Sequence, residues 1–144
     1  AEDIRVKKVI SWASPSNFLE RLPKKEKLVK WKELGVAYIY NGRTKQNMPM
    51  YFQFYENCIK FAKRLNIQNA VSKMGIPHLI VHGNDDPTVL LSEAVNIKSW
   101  NPNIDLHVID GANHVLGGFH PYDLENFPIH LQEAIDVTIS FLKG

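Results

Sequence analysis

Two stretches of the chain combine turn-forming residues with a side chain that can handle a proton. HGNDDPTV, residues 82 to 89, carries Asp85 and Asp86, and GANHVLGG, residues 111 to 118, carries His114. A carboxylate that accepts a hydrogen bond from one ring nitrogen of histidine fixes the tautomer. The other nitrogen is then free to take a proton from a nucleophile. A serine hydroxyl, with its high pKa, needs such a base. Asp and His thus read as two members of a nucleophilic site that lacks its third.

The rival readings of these residues are few. Asp85 is expected to be a solvated or turn-capping neighbour, and His120 is a competitor of His114 in the same glycine-rich loop. His82, Asp85, Asp86, His114 and His120 are all possible metal ligands. The sequence has no close His-x-x-x-His pair on a helix and no cysteine pair. A metal site is therefore not expected, and proton transfer from a nucleophile to histidine needs no cofactor. His82 is expected at a strand end, packed or bonded to backbone.

The serines are Ser11, Ser14, Ser16, Ser72, Ser92, Ser99 and Ser140, and none has glycine two residues away on both sides. Ser11, Ser14 and Ser16 end a strand-like run but lack a tight glycine turn to expose a nucleophile. Cys58 falls in a helix and reads as a packed residue.

The elements that must position Asp and His follow from the apolar pattern. Residues 77 to 82, PHLIVH, form a continuous apolar run that suits a strand buried on both faces of a parallel sheet. A helix is predicted over 91 to 100, stopped by Asn101-Pro102-Asn103, then a strand over 104 to 109. The last helix is predicted over 128 to 142, with Pro128 in its first turn. With a further strand within 6 to 12, this is α/β architecture with parallel strands and right-handed crossovers. Both motifs then stand just past strand carboxyl ends, where sites form in open α/β sheets.

Residues 17 to 75 read as a mostly helical insertion between the core segments 1 to 16 and 76 to 144. It holds two helical pieces split by Pro23, the better over 24 to 34, and a helix over 51 to 65 with a stripe of Phe52, Tyr55, Ile59 and Ala62. A short helix over 67 to 74 follows. Asn41-Gly42 between two β-prone runs predicts a hairpin over 36 to 48 with a type I′ turn.

Composition bounds the partners. The 144 residues carry a net charge of +2, with 44% hydrophobic and 22% charged residues. That is normal for one soluble globular domain and argues against nucleic-acid or membrane-surface binding. One cysteine precludes an internal disulfide and fits a reducing compartment, so a cytoplasmic location is expected. The chain opens AEDIRVKKVISWAS without an initiator Met, which reads as a start within a domain.

HGNDDPTV resembles the pattern H-G-x-x-D-x-x-V of α/β-hydrolases, in which the aspartate is the acid of the triad. GANHVLGGFHP resembles the G-A-x-H loop that carries their catalytic histidine. NGRTKQNMPMYFQFYENC is similar to a segment of bacterial dienelactone-hydrolase-like and prolyl-oligopeptidase-like serine hydrolases. The resemblance spans nearly the whole chain but only the second half of such a domain. It implies Asp86 as acid and His114 as base, in the family's chain order of Ser, Asp, His. It also implies a G-x-S-x-G elbow that these residues do not contain. The function implied is ester hydrolysis, or peptide hydrolysis as the alternative, with this chain inactive by itself. Arg43 and Lys45 would contact a substrate carboxylate if the insertion caps the site. The expected partners are a small ester or peptide substrate, and either the missing half-domain or a second copy along an open sheet edge. The competing class is a non-catalytic interaction module that keeps hydrolase remnants.

Overall fold

In the computed structural model, which describes residues 2–42 and 44–144, the apolar runs become short, well-separated elements. The chain runs β1 (Val9–Trp12), a 3₁₀ turn (Leu19–Arg21), α1 (Glu26–Leu34), β2 (Val36–Asn41), β3 (Gln46–Tyr51), α2 (Phe52–Lys60) and α3 (Ile67–Ser72). It continues β4 (His78–Gly83), α4 (Leu91–Trp100), β5 (Ile104–Ile109) and α5 (Ile129–Lys143). Two compact units result: residues 1–16 with 67–144, and residues 17–66.

The first unit is a parallel sheet in the order β1-β4-β5. All six residues of the central strand β4 are buried, which explains its unbroken apolar run. Its side chains alternate between two cores. Leu79 and Val81 pack with Ile109, Ala112, Leu116 and Ala134, and α5 covers that side with Leu131, Val137 and Phe141. Ile80 points the other way, into Val71, Ala94, Ile97 and Ile104 of α3, α4 and β5. Helices therefore flank the sheet on both faces, as an α/β fold requires. Full burial of a side chain such as Ile80 stabilises by about 1.5–3 kcal/mol.

Residues 67 to 75, read above as the end of the insertion, pack with the sheet. Val71 enters the Ile80 cluster. The Asn101 Nδ2 group donates to the carbonyls of Val71 at 3.0 Å and Met74 at 2.9 Å, fastening the end of α3 to the end of α4. Strand β1 starts at Val9 rather than near residue 6, and Val6 is exposed.

In the second unit, β2 and β3 pair antiparallel from Val36↔Tyr51 to Asn41↔Gln46. The hairpin exists, but its turn differs from the Asn-Gly expectation. Asn41 pairs with Gln46 as the last pair of the ladder. The Asn41 carbonyl accepts from the Lys45 amide at 2.9 Å, and its side-chain oxygen accepts from the Thr44 amide at 3.3 Å. Lys45 takes the left-handed conformation at φ 59° that a two-residue turn would have given to Asn41-Gly42. Helix α2 ends at Lys60, five residues short of expectation, where the Ala62 amide turns to the Ile59 carbonyl in a tighter i→i+3 bond. Phe52 and Tyr55 of α2 lie edge-on to Trp31 of α1, at 5.5 and 6.0 Å between ring centroids. Ile59, placed on the same stripe by spacing, is exposed. Cys58 is buried.

Candidate active site

Strand β4 ends at Gly83 and β5 at Ile109, paired side by side in register. The loops leaving these two ends therefore start as neighbours. Gly83 makes their approach possible. A Cβ at this position would stand 2.1 Å from the Ala112 carbonyl oxygen, so only glycine lets the two backbones come this close. The Asp85 amide donates to that same carbonyl at 3.1 Å. Asn84 adds a side-chain clasp. Its Nδ2 donates to Asp110 Oδ1 at 2.7 Å, and its Oδ1 accepts from the Gly111 amide at 2.7 Å.

Within the first loop, Asp86 folds back on its own backbone. Its Oδ1 accepts from the amides of Thr88 at 2.8 Å and Val89 at 2.9 Å. The side chain is wholly buried. Burial alone pushes a carboxyl pKa up. Here the Val89 amide, the His114 ring, the Thr88 amide and the charge on His114 outweigh it, and the Asp86 carboxyl lies below its ordinary value.

The second loop is a tight turn. Asn113 Oδ1 accepts from the amides of Val115 at 3.2 Å and Gly117 at 3.0 Å. Leu116 is buried in the left-handed region at φ 53°, a conformation rare for a branched side chain. The turn presents His114 toward the first loop, and its Nδ1 lies 2.8 Å from Asp86 Oδ2. A buried carboxylate accepts only, so Nδ1 carries the hydrogen and Nε2 is left as the basic nitrogen. The His114 side chain is 37% exposed, against 0% for Asp86. The carboxylate is sealed off and the ring is part-exposed, an arrangement able to take a proton from a hydroxyl brought to Nε2.

The other candidates separate cleanly. Asp85 is exposed and joins through its backbone, whereas its neighbour Asp86 meets the histidine. His120 is exposed. His82 is fully buried at the end of β4, bonded through Nε2 to the Val89 carbonyl at 2.8 Å. Ser11 meets His78, the first residue of β4, at 2.9 Å, so this contact lies at the opposite end of the strand from Gly83. Burial lowers the His78 pKa. Lys45 is an exposed residue of the 17–66 unit, and Asp86 and His114 belong to the other unit. Arg43 lies outside the described residues. Among the described residues, no group of three His, Cys, Asp or Glu side chains is arranged to hold a metal ion. No helix among them is long and apolar enough to cross a membrane.

The Asn84 clasp and the Gly83 contact were not readable as site features. Asn84 and Asp110 are 26 positions apart and carry no local pattern linking them. A glycine at the very end of an otherwise bulky apolar strand was the one available signal.

No protein-family model and no curated protein matches the sequence. Solved structures do match. The chain is similar to the esterase domain of a Rhodothermus marinus protein at 21% identity and a TM-score of 0.57, over 81% of this chain and 46% of that one. It is similar to Est1E from Butyrivibrio proteoclasticus at 18% identity and a TM-score of 0.62, over 95% and 50%. An alpha/beta hydrolase enzyme from the sediment metagenome of the Mar Chica lagoon matches at 19% identity and a TM-score of 0.52, over 96% and 52%. This chain spans about half the length of each. Its parallel sheet, flanking helices and hairpin have the fold of that half of an α/β-hydrolase chain.

Proposed function

We propose that this chain supplies the acid and the base of a Ser-Asp-His triad in a serine hydrolase that cleaves carboxyl esters through an acyl-enzyme. The observation that carries the reading is the 2.8 Å contact between the buried Asp86 carboxylate and the part-exposed His114 ring. His114 Nε2 takes the proton of the attacking hydroxyl and later returns it to the leaving alkoxide. Asp86 fixes the ring and stabilises its charged form. The serine stands on a segment outside these 144 residues, on a G-x-S-x-G elbow, so the chain by itself does not turn over ester. The likeness to esterase folds supports ester over peptide substrates. The dienelactone-hydrolase-like and prolyl-oligopeptidase-like pattern of residues 41 to 58 supports a hydrolase of small substrates. Strand β1 pairs on one side with β4. Its other side is where we place the strand that carries the elbow, or failing that a second copy of this chain.

A serine-directed fluorophosphonate tests the reading on the product of the complete coding sequence. The elbow should be encoded ahead of residue 1, and the probe should label its serine in the unsubstituted protein but only weakly in His114→Ala. A coding sequence with no such serine, or labelling at an undiminished rate in the variant, contradicts it.

A further inference from the structure

We infer that His82 is a positioning residue for the Asp86–His114 pair, a buried clip that holds the acid loop shut from inside and so aims the Asp86 carboxylate. The inference rests on the proposed role of that pair and goes beyond it by assigning a second histidine to the site.

Three observations meet at Val89. The His82 ring is wholly buried, and its Nε2 lies 2.8 Å from the Val89 carbonyl oxygen. A carbonyl oxygen only accepts, so the ring hydrogen is on Nε2. The amide of the same residue donates to Asp86 Oδ1 at 2.9 Å. Val89 is therefore held from both sides, by the histidine at its oxygen and by the carboxylate at its nitrogen. The loop between residues 82 and 89 is closed by these two bonds, and the second fixes the rotation of the carboxylate. The other oxygen, Oδ2, is thereby turned to His114.

The ring makes little sense as filler. Its Nδ1 is buried and has no hydrogen-bond partner among the described residues. An unsatisfied buried nitrogen disfavours the folded state, and a leucine or phenylalanine would fill the space without it. Among the described residues, the one bond that the ring makes is the one to Val89. The ring also stands behind the carboxylate, with Nε2 3.7 Å from Oδ2, too far for a hydrogen bond of its own. Its action on Asp86 thus passes through the Val89 peptide.

Nitrogen-15 NMR of the imidazole rings of the whole 144-residue chain tests this. The unsubstituted chain should show His82 with its hydrogen on Nε2. It should show His114 with its hydrogen on Nδ1, in a single tautomer and with the strongly downfield proton of an N–H held by a carboxylate. In His82→Gln the amide N–H reaches the place of Nε2, and the His114 signature should persist. In His82→Asn the shorter amide stops near the place of Nδ1, and the His114 proton signal should be lost as its tautomers mix. Asn is also one methylene smaller than Gln, so His82→Leu separates packing from the bond: it fills the space without an N–H, and a His114 signature that persists in it overturns the inference. Persistence in both amide variants, or loss in both, overturns the inference and leaves the pair intact as read. If the variants do not fold, the unsubstituted chain still decides: a His82 hydrogen found on Nδ1 overturns it. A His114 without the Nδ1 hydrogen in the unsubstituted chain overturns the pair and this inference together.

Discussion

Asp86 and His114 are 28 positions apart in the chain and 2.8 Å apart in space, carboxylate Oδ2 to ring Nδ1. They meet because β4 and β5 are adjacent parallel strands whose carboxyl ends, Gly83 and Ile109, lie in register. Each side chain then sits a few residues past its strand. The histidine shares the aspartate's second oxygen with nothing else at hydrogen-bond distance among the described residues, since the first is taken up by backbone amides.

Replacing that carboxylate by a carboxamide separates geometry from chemistry. Asp86→Asn keeps an oxygen for the Thr88 and Val89 amides but presents an N–H to His114 Nδ1. The ring must then carry its hydrogen on Nε2, the wrong nitrogen for a base. The ester turnover proposed for the complete gene product should fall about 10⁴-fold, with little change in the circular dichroism spectrum. A loss below tenfold would remove Asp86 from the mechanism.

Acid should weaken the fold through the same residue. The carboxyl of Asp86 is held below its ordinary value of 3.8. The folded state therefore favours the ionised form. That contribution is complete above the unfolded pKa and fades as the pH drops through the lower folded value. Urea unfolding between pH 6 and pH 2 should show a stability difference between the unsubstituted chain and Asp86→Asn that is flat above about pH 4 and shrinks below it.

Gly83→Ala should separate the two loops. The new methyl would fall 2.1 Å from the Ala112 carbonyl oxygen, and both partners are backbone. Overpacking of this kind costs about 1–3 kcal/mol, seen as a lowered urea midpoint. Ala at Gly75, where nothing lies within 4 Å of the added carbon, is the control and should leave the midpoint nearly in place.

The Asn84 clasp is exposed and can be cut without touching the core. Asn84→Ala removes the bonds to Asp110 and to the Gly111 amide. Each contributes about 0.5–1.5 kcal/mol. Amide exchange at Gly111 should accelerate clearly, while Ile80, in the sheet centre, stays protected.

The sheet was legible because its signal is local. PHLIVH lacks alternation, and a strand sandwiched between α5 on one side and α3 and α4 on the other needs none. That an aspartate of residues 85–86 and His114 could meet was legible for a related reason: each follows its strand by a few residues, and the strands are adjacent. The choice of Asp86 over Asp85 came from the resemblance of HGNDDPTV to a family pattern, not from adjacency. What stayed hidden depends on contacts distant in sequence or on backbone geometry. Asn41-Gly42 signalled a two-residue turn, yet register with Gln46 placed the left-handed residue at Lys45. The boundary near residue 66 was missed because Val71 belongs to a core whose other members come later in the chain. The role of Val89 as the shared anchor of His82 and Asp86 is carried by main-chain atoms, which no residue type announces.

The most direct test is ester turnover by the complete gene product with one imidazole removed. His114→Ala should leave the thermal unfolding transition nearly where it was and cut kcat/KM for a simple aryl ester by about 10³-fold or more. A folded His114→Ala protein with undiminished turnover would mean that the ring held by Asp86 is not the base.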